Sequence, residues 1–203
     1  FSWRPPLNSG KSTRQSAYQI QVASTVEDLM NNPDKWDSGK VESASMAWVE
    51  YNGKEIVSRD QIFWRVRFWD EHNVPSKWSD VAEIEMGLLE NADWKASWIG
   101  ANETRATAPV SQSILATPQY FRKQFSVDKK VVKARLYVTA KGVFKVYLNG
   151  EDLTKNEALP PGWTPYEKRI ETLTYDVTSL INEKDNALGA IIAGGWYSGR
   201  IAD

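Results

Sequence analysis

Apolar residues in this chain recur at every second position, and that period confines most of it to β structure. In IFWRVRFWD (62–70), Ile62, Trp64, Val66 and Phe68 alternate with Phe63, Arg65, Arg67 and Trp69. Tyr18, Ile20 and Val22 alternate with Gln19, Gln21 and Ala23. Ala134, Leu136, Val138 and Ala140 alternate with Arg135, Tyr137, Thr139 and Lys141, and Phe144, Val146 and Leu148 repeat the pattern after Gly142. Successive strand side chains point to opposite faces, so each segment offers one apolar face. Asn149-Gly150 supplies two residues tolerant of positive φ, which predicts a tight hairpin. Two short helical turns interrupt the pattern. Ser24-Thr25-Val26-Glu27 has capping-box spacing ahead of Val26, Leu29 and Met30, predicting a helix over 25–31. DVTSLI (176–181) fits a single turn capped by Asp176 or Thr178.

Turn signals divide these segments into two β-sandwich domains, 1–90 and 91–203, meeting between Gly87 and Trp98. In the first, FSW, residues 18–23, WDSGKV (36–41), MAWVEY (46–51), 62–70 and VAEIEMG (81–87) read as six or seven short strands. That density predicts a fibronectin type III-like sandwich. Arg65 and Arg67, flanked by aromatics, predict an outer-face ladder with Trp78, each exposed pair contributing roughly 0.5–1 kcal/mol. A ring covered by arginine cannot also stack on a sugar. In the second domain Trp94, Ala96 and Trp98 share strand parity and are assigned to its first strand. Residues 101–118 form a polar loop, and strands follow from FRKQF through residues 187–193.

Composition removes several functional classes. A net charge of −1 leaves no electrostatic footprint for nucleic acid, and Lys129, Lys130 and Lys133 form a basic turn too small for it. There is no cysteine, hence no disulfide framework or thiolate metal site. His72, the single histidine, sits in the turn-like DEHNVPS and is read as an exposed loop residue. Gly194-Gly195 follows a strand but lacks the spacing of a dinucleotide fingerprint. Residues 187–196 are too short for the ~20 apolar residues of a spanning helix. The chain begins Phe-Ser-Trp without Met, so its N-terminus is read as trimmed and export stays open. Periplasmic or extracellular location is favoured over cytoplasmic.

The 26 acidic residues guarantee some close carboxyl pairs by chance. Glu83 and Glu85 share a strand face, and Glu151-Asp152 follows a turn; both read as solvated. No catalytic carboxylate, metal ligand or cofactor is assigned.

Five motifs in order carry a family resemblance: YFRKQF (120–125), VYLNG (146–150), PGWTPYEKR (161–169), YDVT (175–178) and GGWYSG (194–199). This stretch resembles the sugar-binding-type, galactose-binding-like jelly roll near the N-terminus of bacterial α-L-rhamnosidases. AYQIQVAS, WDSGKV, WRVRFWD, WSD and ADWKASWIG resemble the fibronectin-like module that precedes it. The resemblance implies a downstream (α/α)6 barrel, where paired carboxylates hydrolyse the rhamnosidic bond with inversion. It therefore implies that this chain is an N-terminal accessory region, structural or weakly carbohydrate-binding, whose partners are that barrel and rhamnose-containing glycans or glycosides. The alternative is a free-standing carbohydrate-binding or adhesion protein. A jelly roll takes about eight strands, and residues 94–203 barely supply them. The second sandwich is thus expected to be incomplete at its C-terminus, its open edge covered by another copy or residues 196–203 displaced.

Some relatives use this jelly roll as a calcium-dependent rhamnose-binding module with an Asp-Asn pair after the tyrosine of the PGWT segment. Glu167-Lys168 stands there instead, and a cation opposes calcium. Trp196 and Tyr197, flanked by glycines, with Glu167 and Lys168 opposite, form the candidate sugar contact. The competing reading places Trp163 and Trp196 in a core or between domains.

Overall fold

The computed structural model describes residues 1–5, 14–100 and 117–198. It is all-β with antiparallel sheets and few helices. The chain divides into two compact units, Phe1–Lys95 and Ala96–Asp203, each described by itself. The sequence expectations for the loops at 8–11 and 101–116, and for the last five residues, lie outside the described residues.

In the first unit, β1 (Ala17–Ala23), α1 (Val26–Asn31), β2 (Trp36–Asp37), β3 (Val41–Glu42), β4 (Gln61–Trp69) and β5 (Ala82–Glu85) follow in order. One sheet runs β2-β1-β4-β5, with β3 also paired to β1. The register sets Ile20 opposite Val66 and Val22 opposite Trp64. Tyr18, Ile20, Val22, Ile62 and Val66 consequently share one face and form the buried cluster. A second layer closes over them: Phe1–Trp3 pairs with residues 46–49, and Phe1, Trp3, Val49 and Tyr51 pack onto that cluster. Thr25 caps α1, its hydroxyl accepting from the Asp28 N–H at 3.0 Å. Leu29, fully buried, is the helix's anchor to the sheet.

The opposite face of β1 departs from the simple alternation. Gln19 and Gln21 are buried rather than solvated. Each amide spans three strands. Gln19 Nε2 donates to Asp37 Oδ1 at 2.6 Å while its Oε1 accepts from Arg67 Nε at 2.9 Å. Gln21 Nε2 donates to Asp37 Oδ2 at 2.7 Å while its Oε1 accepts from Arg65 at 2.7 and 2.9 Å. The Trp78 ring lies 4.5 Å from the Arg65 guanidinium and 4.7 Å from that of Arg67, which also lies 4.9 Å from the Trp69 ring. The arginine–tryptophan ladder is therefore present, and it is the lid of a polar layer. Trp78→Ala should lower stability by about 1–2 kcal/mol in urea unfolding; a loss below about 0.3 kcal/mol would show that the stacking contributes nothing.

Four strand assignments need correction, the first being Phe1–Trp3, which pairs with residues 46–49 without forming a regular strand. WDSGKV is not one strand: Ser38-Gly39-Lys40 bulges out between β2 and β3, with Gly39 at φ 60°, and both pieces pair with β1. MAWVEY forms no regular strand, because Trp48 adopts φ 59° and breaks the ladder with Phe1–Trp3. Residues 94–99 do not open the second sheet either. They follow a 3-10 turn at Asn91–Asp93 that is fastened to the first unit, where Asp93 accepts from the Ser58 hydroxyl and pairs with Arg59 at 3.7 Å.

In the second unit, β6 (Gln119–Val127), β7 (Arg135–Val138), β8 (Val143–Leu148), β9 (Glu151–Asp152), β10 (Leu173–Asp176) and β11 (Lys184–Ala193) form two sheets, β6-β11-β8-β9 and β10-β7. Ala140, Phe144 and Val146 are the buried centre, covered by Leu136, Val138, Leu173, Leu188 and Ile192 among others. The β8–β9 hairpin turns at Asn149 (φ 51°) and Gly150 (φ 94°) as the dipeptide predicts. Asn149 also reaches out of its turn, donating to Asn186 Oδ1 at 2.8 Å and accepting from the Ala187 N–H at 2.8 Å. The turn at Thr178–Leu180 forms with Asp176 accepting from the Thr178 N–H at 2.9 Å.

Candidate functional site

The expected sugar-contact residues come from two segments that meet around Gly142, the turn between β7 and β8. Gly142 has φ 101°, and a Cβ there would lie 2.3 Å from the Ala193 carbonyl oxygen and 2.7 Å from that of Gly194. Only glycine lets the turn lie this close to the end of β11. Its N–H donates to the Tyr166 hydroxyl at 3.2 Å, drawing the PGWTPYEKR loop to the same spot. The Phe144 N–H donates to the Pro160 carbonyl at 2.9 Å, which pins the start of that loop to β8.

Beyond Gly194 the chain turns into α2 (Gly195–Ser198), one short turn. Gly195 has φ 45°, and its Cβ position is only 3.0 Å from Val143 Cγ1. Tyr197 leaves α2 half-exposed and meets Tyr166 edge to face, with centroids 5.4 Å apart at 82°. Lys141 Nζ sits 5.1 Å from the Tyr197 centroid and 5.7 Å from that of Trp98. One face of Tyr197 is thus occupied by a cation.

Within the loop, Thr164 is buried and donates to the Arg169 carbonyl at 2.9 Å, while the Lys168 and Arg169 N–H groups return to the Pro165 carbonyl. This tight turn leaves Glu167 and Lys168 exposed beside Tyr166. Trp196 is half-buried, whereas Trp163 is 60% exposed. Neither tryptophan is a core residue, so the core reading does not hold. The structure brings the two segments together through Tyr166 and Tyr197, with Glu167 and Lys168 on the rim.

Two of the carboxylates singled out from sequence are engaged by neighbouring side chains. Asp152 accepts from Thr154 Oγ1 at 2.6 Å and from Lys145 Nζ at 2.9 Å, and these contacts hold its carboxyl below the ordinary range. A general acid needs the opposite displacement. Glu83 accepts from the Gln61 amide at 2.5 Å. Among the described residues no group of three or more His, Cys, Asp or Glu is placed to hold a metal ion, and no helix is long and apolar enough to cross a membrane.

Each unit also carries a shallow trough. One, of about 430 Å3, crosses the outer face of β6, β11 and β8, between Tyr120 and Tyr147 and over Gly189. The other, of about 530 Å3, is in the first unit beside Trp48. None of Glu167, Lys168, Trp196 and Tyr197 lines either trough. Sequence reasoning passed over Lys141 and Trp48 as functional residues and weighed Trp163 only as a core or interdomain residue. Pro160-Pro161-Gly162 immediately before Trp163 was a usable signal for an exposed ring, since such punctuation marks loops. Trp48 shares parity with Glu50 while Val49 and Tyr51 share the other, which signalled an outward indole.

Known proteins resemble the whole chain. The family model for the "Rha78A-like, N-terminal immunoglobulin domain" matches residues 1–90, and that for the "Alpha-L-rhamnosidase N-terminal domain" matches residues 129–203. An alpha-L-rhamnosidase of Alteromonas sp. (strain LOR) is 73% identical over 203 residues, 100% of this chain and 22% of that protein. One from Formosa agariphila is 50% identical over 99% of this chain and 22% of its own length. The alpha-L-rhamnosidase structure from Dictyoglumus thermophilum superposes with a TM-score of 0.86 at 36% identity, over 97% of this chain and 23% of that one. The one from Aspergillus terreus gives 0.76 at 33% identity, over 94% and 21%. The chain thus spans less than a quarter of these relatives.

Proposed function

Because this chain belongs to the α-L-rhamnosidase family through that family's N-terminal modules, we propose that it is the non-catalytic front portion of a glycoside hydrolase. The whole protein would release terminal L-rhamnose, with inversion, from rhamnose-containing glycans or glycosides. Inversion requires an acid and a base carboxyl about 6.5–9.5 Å apart, and those carboxyls belong to a downstream (α/α)6 barrel. The observation that carries this reading is the order and extent of the two module matches, 1–90 and 129–203, within relatives more than four times as long.

The module partition at 1–90 and 91–203 is part of the same proposal, the first module acting as a spacer. In the second, the surface of Glu167, Lys168, Trp196 and Tyr197 makes a weak contact with a rhamnose-type sugar. The adjacency of the two segments through Tyr166 and Tyr197 supports it; the lysine over Tyr197 limits it to one ring face. Affinity should be about millimolar, roughly 4 kcal/mol. Titrating L-rhamnose while following amide shifts is expected to move Trp196 and Tyr197 equally with and without calcium. No movement near Trp196 at saturating sugar would remove the contact and leave the accessory role standing. The coding sequence after Asp203 tests that role: a long helical region carrying acidic residues supports it, and an immediate stop codon favours a free-standing carbohydrate-binding or adhesion protein.

A further inference from the structure

Trp48 is 90% exposed and holds a left-handed backbone, φ 59°. A bulky residue in that region is a steric outlier, and exposing an indole gains nothing for folding. The backbone on both sides leaves it no alternative. The Trp3 N–H donates to the Met46 carbonyl at 2.9 Å, and the Val49 N–H donates to the Phe1 carbonyl at 3.0 Å. Between them the Trp48 N–H donates to Ser2 Oγ at 3.2 Å. Trp48 is thereby the extra residue of a bulge, and the pairing that makes it so pushes its ring outward.

Beside the ring runs the trough of about 530 Å3, within the ~300–1,000 Å3 over which proteins take small ligands. Its wall includes Asp37, Ser45, Glu50 and Asn52 and, among the described residues, no lysine or arginine. A partner with an apolar face would bury these groups without hydrogen bonds, which is costly. An anionic ligand would meet two carboxylates with no cation among the described wall residues. A neutral ligand that is apolar on one face and hydroxylated at its edges satisfies both constraints.

We propose that Trp48 and this trough form a platform for a neutral glycan chain. One pyranose ring stacks its C–H face on the indole, and hydroxyls of neighbouring rings donate to Glu50 and exchange hydrogen bonds with Ser45 and Asn52. The site lies wholly in the first unit and does not depend on the surface at Trp196.

The test is a titration of the 203-residue chain with xylohexaose and with cellohexaose, following the Trp48 indole N–H and the amides of 43–52. At least one of the two should give saturable shifts there, and hexagalacturonate should give none. Trp48→Gly, which suits the positive φ and so preserves the fold, should weaken binding by about tenfold or more. Glu50→Gln, which keeps a hydrogen-bonding side chain, should weaken it about threefold. The proposal is overturned by no saturable shift at about 10 mM of either neutral hexasaccharide, by unchanged binding in Trp48→Gly, or by preferential binding of hexagalacturonate. Shifts at Trp48 that depend on protein concentration without sugar would assign the face to a second copy and overturn it equally.

Discussion

Gly142→Ala should cost the second unit about 3 kcal/mol or more. Two penalties act together. The residue holds φ 101°, where L side chains are strained, and the new Cβ would stand 2.3 Å from the Ala193 carbonyl oxygen. That neighbour is backbone, and it cannot rotate away. Relief requires the end of β11 to part from β8, where Ala193 pairs with Val143 and Ile192 with Phe144. Hydrogen exchange gives the reading by unit: protection should collapse in β8 and β11 and stay unchanged in β1 and β4. The Gly142–Tyr166 bond would be lost as well, so any rhamnose shift at Tyr197 should disappear with it. Stability within about 0.5 kcal/mol of the parent would show that the turn yields easily.

Asp37→Asn is expected to cost the first unit about 2 kcal/mol at neutral pH, since two buried glutamine amides lose a charged acceptor and one faces a new donor. The effect has a pH signature. Burial by itself would raise the Asp37 pKa, but hydrogen bonds from Gln19, Gln21 and the Gly39 N–H outweigh it and hold the carboxyl below its ordinary 3.8. A folded value below the unfolded one means the stabilisation is complete above the unfolded pKa and disappears as pH falls through the folded one. The gap between parent and variant should therefore be constant near neutrality and narrow on acidification below about pH 4. Asp34 and Asp60 are displaced the same way but are present in both proteins, so they cancel in the difference. Urea unfolding across this range reads the gap directly; a gap that widens in acid would reverse the assignment.

How far the chain could be read from its residues depended on where each element's partner lay. Strands β1, β4, β7 and β8 follow from period-two runs because one face of each is packed on a core. The helix at 26–31 and the hairpin at Asn149-Gly150 follow from cap and turn chemistry contained within a few residues. MAWVEY misleads because its shape is set by Phe1–Trp3, more than forty positions away, and the bulge at Trp48 exists only in that pairing. Gln19 and Gln21 look solvated in isolation. They are buried because Asp37 on one neighbouring strand and Arg65 and Arg67 on the other satisfy both ends of each amide. At the candidate sugar surface the glycines and prolines announced tight backbone, and the two segments do meet. The cation over Tyr197 was hidden because Lys141 is more than fifty residues from it in the chain. Family membership was legible from the ordered motifs from 120 to 199.

If this chain is the non-catalytic front portion of a glycoside hydrolase, the purified 203-residue chain will not hydrolyse an aryl α-L-rhamnoside. The expected result is no release of the aryl alcohol above the uncatalysed rate. Turnover that persists through purification and disappears on substitution of a carboxylate within residues 1–203 would overturn the proposed role.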